Sequence, residues 1–283
     1  MSTLTTPAPD LTSKRPADPR VHLTVGRLVR SEWIKLTTVR STWWSIALVI
    51  ALSIGLSLLM AASFASFAGT GGGMPEGNSV AVQVIVFSTV LTQLLAVILG
   101  AITVTGEYST GMVRSTLTAA PARLGALLAK ALVVGVTMFV TSVVVFAVTA
   151  VVTAPILDAN ALDIGDADSS LMPLLGAAGY LALMAMMGVG LGFIIRNGPG
   201  ALAVGIGLVF VAPLIVSFFP RVDDFAWIHD LASYLPSNAG QSLFLSSGIS
   251  GNPLETAPAV VTIIAWAVAA LVGGIAVLKT RDA

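Results

Sequence analysis

Cysteine is absent from this chain of 283 residues, and only 10% of its residues are charged. Without cysteine there are no disulfide bonds, thiol nucleophiles or thiolate metal sites. Soluble domains normally have about 25% charged residues, so this composition, with 56% hydrophobic residues, indicates a polytopic integral membrane protein. Two histidines, His22 and His229, are present, and the motifs of zinc proteases, nucleophile elbows and phosphate loops are missing. We expect no catalytic site, metal or cofactor in this chain.

Six apolar windows in the sequence are each long enough for a membrane span of about 20 residues. They lie approximately at 43–64, 82–105, 130–153, 173–195, 199–219 and 258–278. None has a charged residue away from its ends, and Lys130, which starts the third, is expected to extend towards the lipid headgroups. Ion-driven carriers and ion channels commonly have ionisable groups at depth. The windows therefore predict an all-α integral membrane fold and argue against an ion-driven carrier.

The charged residues are unevenly divided between the two faces of these windows. If the N-terminus is cytosolic, thirteen of the fourteen lysines and arginines lie on the cytosolic side and only Arg221 lies outside. The acidic residues of the outer side are Glu76, Asp158, Asp163, Asp166, Asp168, Asp223, Asp224, Asp230 and Glu255. Because basic loops stay on the cytosolic side, we expect a multi-pass protein of the cell membrane with both termini in the cytoplasm.

The region before the first window divides into a tail and a helix. Residues 1–20, with four prolines among serine, threonine and aspartate, are predicted to be a disordered cytosolic tail, and 21–283 to form one six-helix domain. Between 21 and 42, apolar residues recur at helical spacing, which predicts a basic helix lying in the membrane interface. Its apolar stripe consists of Val25, Val29, Trp33 and Leu36. Glu32 falls on this apolar side, either as a half-exposed carboxylate or as the partner of an arginine on the same membrane face.

Between the second and third windows, residues 106–123 read GEYSTGMVRSTLTAAPAR. As a short amphipathic helix, the segment has an apolar side opposite Arg114, and Ser109 is placed to cap its start. The apolar side consists of Met112, Val113, Thr116 and Leu117. A structured amphipathic segment at a membrane face is suited to docking on a soluble protein, and we expect that protein to be a separate ATPase.

One face of the second window repeats small and polar residues at intervals of four and three. This face consists of Thr89, Gln93, Ala96, Gly100 and Thr103. Such a face is typical of close helix packing with interhelical hydrogen bonds, and it is also suited to a dimer interface or a translocation pathway. Packing is favoured, and one face can serve both purposes. Gly188 and Gly192 in the fourth window form a GxxxG, which we interpret as packing alone.

The predicted outer loops differ in composition. Residues 65–81 are rich in glycine but lack the GK[ST] of a phosphate loop. The loop at 158–170 has four aspartates without the final carboxylate of an EF-hand, which disfavours a calcium site there. The loop at 220–257 is predicted to contain two helices too short to cross the membrane, the first capped by Asp223 or Asp224 and the second beginning near 238. The first helix bears Phe225, Ile228, Leu231 and Leu235 and ends at Pro236.

Six spans, a basic helix before the first and an amphipathic loop after the second together resemble the type-2 family of ABC transporter permeases. The resemblance is carried by SEWIKLTTVRSTWW at 31–44, by 106–123 with Lys130, and by YLPSNAGQSL at 234–243. It implies a permease subunit of an ATP-driven exporter that works as a dimer, with a second copy or a paralogue. ATP and magnesium would be bound by a separate cytosolic ATPase subunit. Substrates in the family include drugs, peptides, lipids and polysaccharides.

The resemblance also assigns roles to individual residues. It makes 106–123 a cytosolic coupling helix and 220–257 a re-entrant outer element near the exit. Residues implied to make or brace the ATPase contact are Glu32, Glu107, Tyr108, Met112, Arg114 and Leu117. Residues implied for the outer gate are Phe225, Ile228, Leu231 and Leu235. The small and polar face of the second window would line the pathway or the dimer interface.

Two other readings of the sequence stay open. A secondary carrier or channel would need neither ATP nor a second polypeptide. A membrane-embedded enzyme acting on lipid would be active as the purified chain alone. Membrane lipids are expected partners in every case. Nucleic acid is not, because no basic cluster lies outside the N-terminal region.

Overall fold

The computed structural model describes residues 24–68, 78–113, 123–220, 222–245 and 254–280. Within these ranges the chain is helical and has no strand. The helices are α1 (Val25–Thr38), α2 (Arg40–Ala68), α3 (Asn78–Val86), α4 (Thr89–Ser109), α5 (Arg123–Leu157), α6 (Leu171–Ile195), α7 (Gly198–Ile206), α8 (Ala212–Ser217), α9 (Ala226–Ser233), α10 (Pro236–Gln241) and α11 (Thr256–Thr280). A π-helical turn, Gly207–Val211, joins α7 to α8, and short 3-10 turns cover Asp158–Asn160 and Asp223–Phe225.

Six helical segments in the described ranges are long and apolar enough to cross a membrane. They are Arg40–Phe67, Thr89–Ser109, Leu124–Leu157, Leu171–Ile195, Gly198–Ser217 and Thr256–Thr280. The predicted count of six and the multi-pass membrane class are therefore confirmed. The segments alternate in direction, so the bundle has two ends. We call the end at which α1 lies the α1 end, and the other the far end.

Helix α6 is the central helix of the bundle, in contact with α4, α5 and α11. Small residues let its neighbours approach closely. A Cβ added to Gly188 would overlap the carbonyl of Val97 on α4, and one added to Gly192 would lie 2.8 Å from Val104 Cβ. Lipid tails are as apolar as the helices, so the hydrophobic effect does not drive helices together within a membrane. They associate instead through close backbone packing of this kind. The GxxxG of the fourth window is confirmed as a packing motif.

The second predicted window is wrong at its start, because a turn at 87–88 divides it into α3 and α4. Six of the nine residues of α3 are buried. The backbone carbonyls exposed by the break accept hydrogen bonds from side-chain hydroxyls: Ser57 Oγ donates to Ile85 O at 3.2 Å, and Thr89 Oγ1 donates to Val86 O at 2.6 Å. A break inside an apolar bundle is tolerated when neighbouring hydroxyls satisfy the backbone in this way.

The third predicted window is too short, because α5 begins at Arg123 rather than at Lys130. Lys130 is therefore seven residues inside the helix. The turn predicted after the fourth window is confirmed. Helix α6 ends at Ile195, Arg196 follows in the left-handed region with φ 57°, and the Oδ1 atom of Asn197 accepts a hydrogen bond from the backbone of Gly200 at 3.0 Å. This side-chain cap starts α7.

At the far end, Asn78 ties the start of α3 to the acidic loop. Its Nδ2 donates to the carbonyl of Asp163 at 2.9 Å and to Ser169 Oγ at 2.8 Å, and its Oδ1 accepts from the backbone N–H of Asp163 at 2.7 Å. Asp166 accepts a 2.7 Å hydrogen bond from Ser169, and the bonds from Ser169 lower the pKa of this carboxyl group. In the described ranges, no group of three or more metal-ligating side chains forms a site.

The two short helices predicted between the last spans exist, with different bounds. Helix α9 ends at Ser233 and leaves Leu235 outside, and its N-cap residue, Phe225, makes no side-chain cap. Pro236 begins α10 rather than only ending the helix before it, because proline is favoured in the first helical turn, where its missing N–H costs nothing. Leu243 and the two residues after it form a turn instead of continuing α10.

Candidate functional site at the α1 end

Helix α1 buries two side chains, Glu32 and Leu36, on the side that packs against α5. The predicted apolar stripe is thereby divided. Leu36 belongs to the core and Val29 packs against it, whereas Val25 and Trp33 are exposed. Only the part of the stripe around Val29 and Leu36 faces the bundle, and Glu32 lies on that side because the bundle supplies partners for its charge.

Glu32 and Glu107 are joined by two lysines in a closed ring, which we call the charge cluster. Lys130 Nζ lies 2.5 Å from Glu32 Oε2 and 2.8 Å from Glu107 Oε1. Lys35 Nζ lies 2.8 Å from Glu32 Oε1 and 3.1 Å from Glu107 Oε1. The ring connects α1, α4 and α5. The expectation that Lys130 reaches the headgroups is wrong, and the partners of Glu32 are lysines rather than an arginine.

Burial differs among the four members of the charge cluster. The side chains of Glu32, Glu107 and Lys130 are 4%, 8% and 6% exposed, whereas that of Lys35 is 26% exposed. Burial by itself would lower the pKa of Lys35, but the hydrogen bonds and charges of the two glutamates outweigh it and raise that pKa. Removing one member would leave a buried charge without compensation, which costs far more than the intact pair contributes to stability.

A second polar contact at the same end involves Tyr108, the next residue of α4. The guanidinium of Arg196 lies 5.4 Å from the centre of the Tyr108 ring, and its Nη2 donates to the carbonyl of Val277 at 3.0 Å. Phe193 packs edge-on against the same ring, with the ring centres 6.4 Å apart. Arg196 therefore links the ends of α4, α6 and α11 through a cation–π contact and a backbone hydrogen bond.

A cavity of about 550 Å³ opens beside the charge cluster, between α1, α2, α4 and α5. Its wall includes all four members of the cluster and continues along α4 to Ile102 and Leu99. Val133 and Val134 of α5 also line it. The site thus combines paired charges at one end with an apolar wall at the other, a size and composition typical of small-molecule sites.

The residues predicted to contact an ATPase are separated by the structure. Glu32 and Glu107 meet in the charge cluster, and Tyr108 faces Arg196 instead. Met112 is 39% exposed beyond the end of α4, while Arg114 and Leu117 lie outside the described residues. The first part of the predicted amphipathic helix is in fact the last turn of α4, in which Ser109 bonds back to Gly106 rather than capping a new helix.

The small and polar face of α4 lies mainly against α6. Gln93 accepts a hydrogen bond from the hydroxyl of Tyr180, and a Cβ on Gly100 would overlap the carbonyl of Ala185. Thr89 and Ala96 are buried as well. Packing accounts for these four positions, whereas Thr103 borders the cavity. A role for this face at a subunit interface or pathway stays a prediction.

The predicted outer-gate residues lie around α9 and do not form a common site with the charge cluster. Leu231 is 64% exposed, and Ile228 and Leu235 are half-buried. Phe225 packs against Phe219, with ring centres 5.8 Å apart. This arrangement leaves an apolar surface at the end of α9, and its function as a gate stays a prediction.

Sequence reasoning missed Lys35 and Lys130 as site residues. The available signal was charge complementarity. Glu32 lies on the apolar side of α1 and Glu107 in the last turn of the second span, and both are at the same end of the bundle. Lys130, an isolated lysine in an apolar run, lies at that end as well. Buried charges are paired, so these residues could have been predicted to pair with one another.

The chain matches no protein-family model, and no curated protein matches it.

Proposed function

We propose that this chain is the permease subunit of an ATP-driven ABC exporter that works with a separate cytosolic ATPase. The observation that carries the proposal is the charge cluster, which joins α1 to α4 and α5 by ion pairs. These ion pairs lie at the end of α4, just before the segment that contains Met112. In this proposal the α1 end faces the cytoplasm. An ATPase bound there would push on a single connected body rather than on isolated loops.

The contacts at the α1 end support transmission of movement into the spans. Glu107 fixes α4 to α1 and α5, and Tyr108 fixes α4 to α6 and α11 through Arg196. A displacement of the segment after α4 would therefore be shared by most of the bundle. Transport of this kind requires two conformations with different access and differential binding of the ATPase to them. It requires no reactive group in the membrane.

The α9–α10 region supports the proposed re-entrant outer element. Gly240 of α10 lies against the ring of Tyr180, which is about 14 Å along α6 from its far end at 1.5 Å per residue. Trp266 Nε1 donates to the carbonyl of Tyr234 at 2.9 Å, about 15 Å along α11 from the same end. Both contacts lie about 14–15 Å from the far end, a depth that supports a re-entrant position for the link between α9 and α10. In the transporter this element would border the outer exit.

The test is co-purification from native membranes in mild detergent, with identification of partners and assay of ATP hydrolysis. We expect an ATP-hydrolysing subunit to co-purify with the native chain and to be lost in Met112→Asp. The matched control is Met172→Asp, at an exposed methionine of α6 at the far end. Recovery of the chain without any such subunit, while it transports in proteoliposomes lacking ATP, would overturn the proposal.

The same charge cluster also favours a second candidate, a carrier driven by protons or ions. The sequence argued against a carrier because the windows had no inner charges, but Lys130 lies inside α5 and is paired with two buried carboxylates. Buried ionisable networks of this kind occur in proton- and ion-coupled carriers. Transport that follows a pH gradient in proteoliposomes, with no second polypeptide, would support this candidate over the ATP-driven one.

A further inference from the structure

The cavity at the α1 end has the length of one membrane leaflet. Its wall runs from Met112, beyond the end of α4, to Leu99 within that helix; the helical part from Ser109 to Leu99 spans ten residues, or about 15 Å at 1.5 Å per residue. Half of a hydrocarbon core that is about 30 Å thick is about 15 Å. The cavity therefore reaches from the level of the headgroups to about the middle of the bilayer.

Polarity changes along the cavity in the same direction. At its outer end lie Lys35, Ser41 and Thr110, and at its inner end lie mainly apolar side chains of α4 and α5, among them Leu99 and Val134. Thr103 also borders this part, and its hydroxyl donates a 2.7 Å hydrogen bond to the carbonyl of Gly100. A molecule that fits this gradient has a polar group at one end and an apolar chain of one-leaflet length. The volume of about 550 Å³ is within the range of sites that hold such ligands.

The exposed charges near the opening are basic. In α1 and the first turn of α2 the one acidic residue is Glu32, which is buried and paired with two lysines. Arg40, which stands between the cavity-lining residues Val39 and Ser41, is exposed, and Lys35 is the most exposed member of the charge cluster. Basic groups at a membrane surface attract anionic lipid headgroups. The opening therefore favours a negative group.

We propose that this cavity binds one anionic phospholipid of the adjacent leaflet, with its phosphate at Lys35 and Arg40 and an acyl chain along Leu99, Ile102 and Val134. Binding of such a lipid requires neither an ATPase nor transport, so it can be measured on the full chain by itself. It differs from general lipid contact, because the acyl chain would touch residues that face the cavity rather than the outer surface of the bundle.

The experiment uses the full chain in phosphatidylcholine nanodiscs containing phosphatidylglycerol with a photoreactive diazirine in the acyl chain. Labelled residues are mapped by mass spectrometry of peptides. We expect labelling at Leu99 and at Val133 or Val134, several-fold above that obtained with the matched phosphatidylcholine probe. Soluble glycerol phosphate in excess should leave the labelling unchanged, because the acyl chain contributes to binding.

Two variants test the position of the lipid. Ile102→Trp fills the cavity and should lower the labelling of Val133 and Val134 several-fold, whereas Ile264→Trp, at a 44% exposed position of α11, should not. Arg40→Gln should reduce the preference for phosphatidylglycerol without disturbing the buried ion pairs. Labelling confined to outward-facing residues such as Val136, no change in Ile102→Trp, or equal labelling by phosphatidylcholine would each overturn the proposal.

Discussion

Lys130 on α5 and Glu32 on α1 are 98 positions apart in the chain and form an ion pair of 2.5 Å that is almost closed to solvent. Replacing Lys130 with methionine leaves two buried carboxylates with one lysine. Loss of one member of a buried pair typically costs about 3–5 kcal/mol, so we expect a large fall in the thermal unfolding temperature in detergent. Lys279→Met, at an exposed lysine in the last turn of α11, is the control and should change little.

The double variant Lys130→Met with Glu107→Gln separates charge balance from packing. In this variant the charge cluster keeps one carboxylate and one lysine, so its charges balance again. We therefore expect it to recover much of the stability lost in Lys130→Met. The measurement is a double-mutant cycle of unfolding temperatures. A double variant that is as unstable as the sum of the two single variants would show that the ring is not an electrostatic unit.

The crossing of α4 and α6 depends on glycine at the contact. Gly100→Ala would place a methyl group on the carbonyl of Ala185, and backbone cannot move aside as a side chain can. Overpacking of this kind typically costs about 1–3 kcal/mol. Gly55→Ala on α2 has no heavy atom within 4 Å of the added Cβ and should not destabilise. Equal unfolding temperatures for both variants would contradict the observed helix approach.

Tyr180 of α6 donates a buried interhelical hydrogen bond to Gln93 of α4. Tyr180→Phe leaves the Gln93 carbonyl oxygen without this donor, and we expect a loss of about 0.6 kcal/mol and at most about 1.7 kcal/mol, the mean and the maximum measured for such bonds in a membrane protein. The additional change Gln93→Leu should recover part of it, since no buried polar group is then left unpaired. Thermal unfolding of the three variants checks both expectations.

Asn78 holds the acidic loop to the start of α3 through three hydrogen bonds. Asn78→Ala removes all three, so the amides of residues 161–169 should exchange with deuterium faster, while those of α6 should be unchanged. Asn78→Asp keeps the acceptor for the Asp163 N–H but loses both donors, and should give an intermediate rate. Unchanged exchange in Asn78→Ala would mean that other contacts hold the loop.

Hydropathy was sufficient to predict six spans and the turn after the fourth, because a run of about 20 apolar residues has few other stable structures. It did not predict the break at 87–88, because α3 and α4 are equally apolar. One of the carbonyls at the break, that of Ile85, is satisfied by Ser57, a residue of another helix. Lys130 was assigned to the headgroups for the same reason: its carboxylate partners lie on α1 and α4, far away in the sequence.

The most direct measurement of the central claim is photo-crosslinking from Met112. A photoreactive amino acid is placed at this exposed position, three residues beyond the end of α4, and at the control position Met172 at the far end. After irradiation of native membranes, the account predicts a crosslink from Met112 to an ATP-hydrolysing protein and none from Met172. A crosslink to that protein from Met172 alone, or from neither position in membranes that still transport, would contradict the assignment of this chain as an ABC permease.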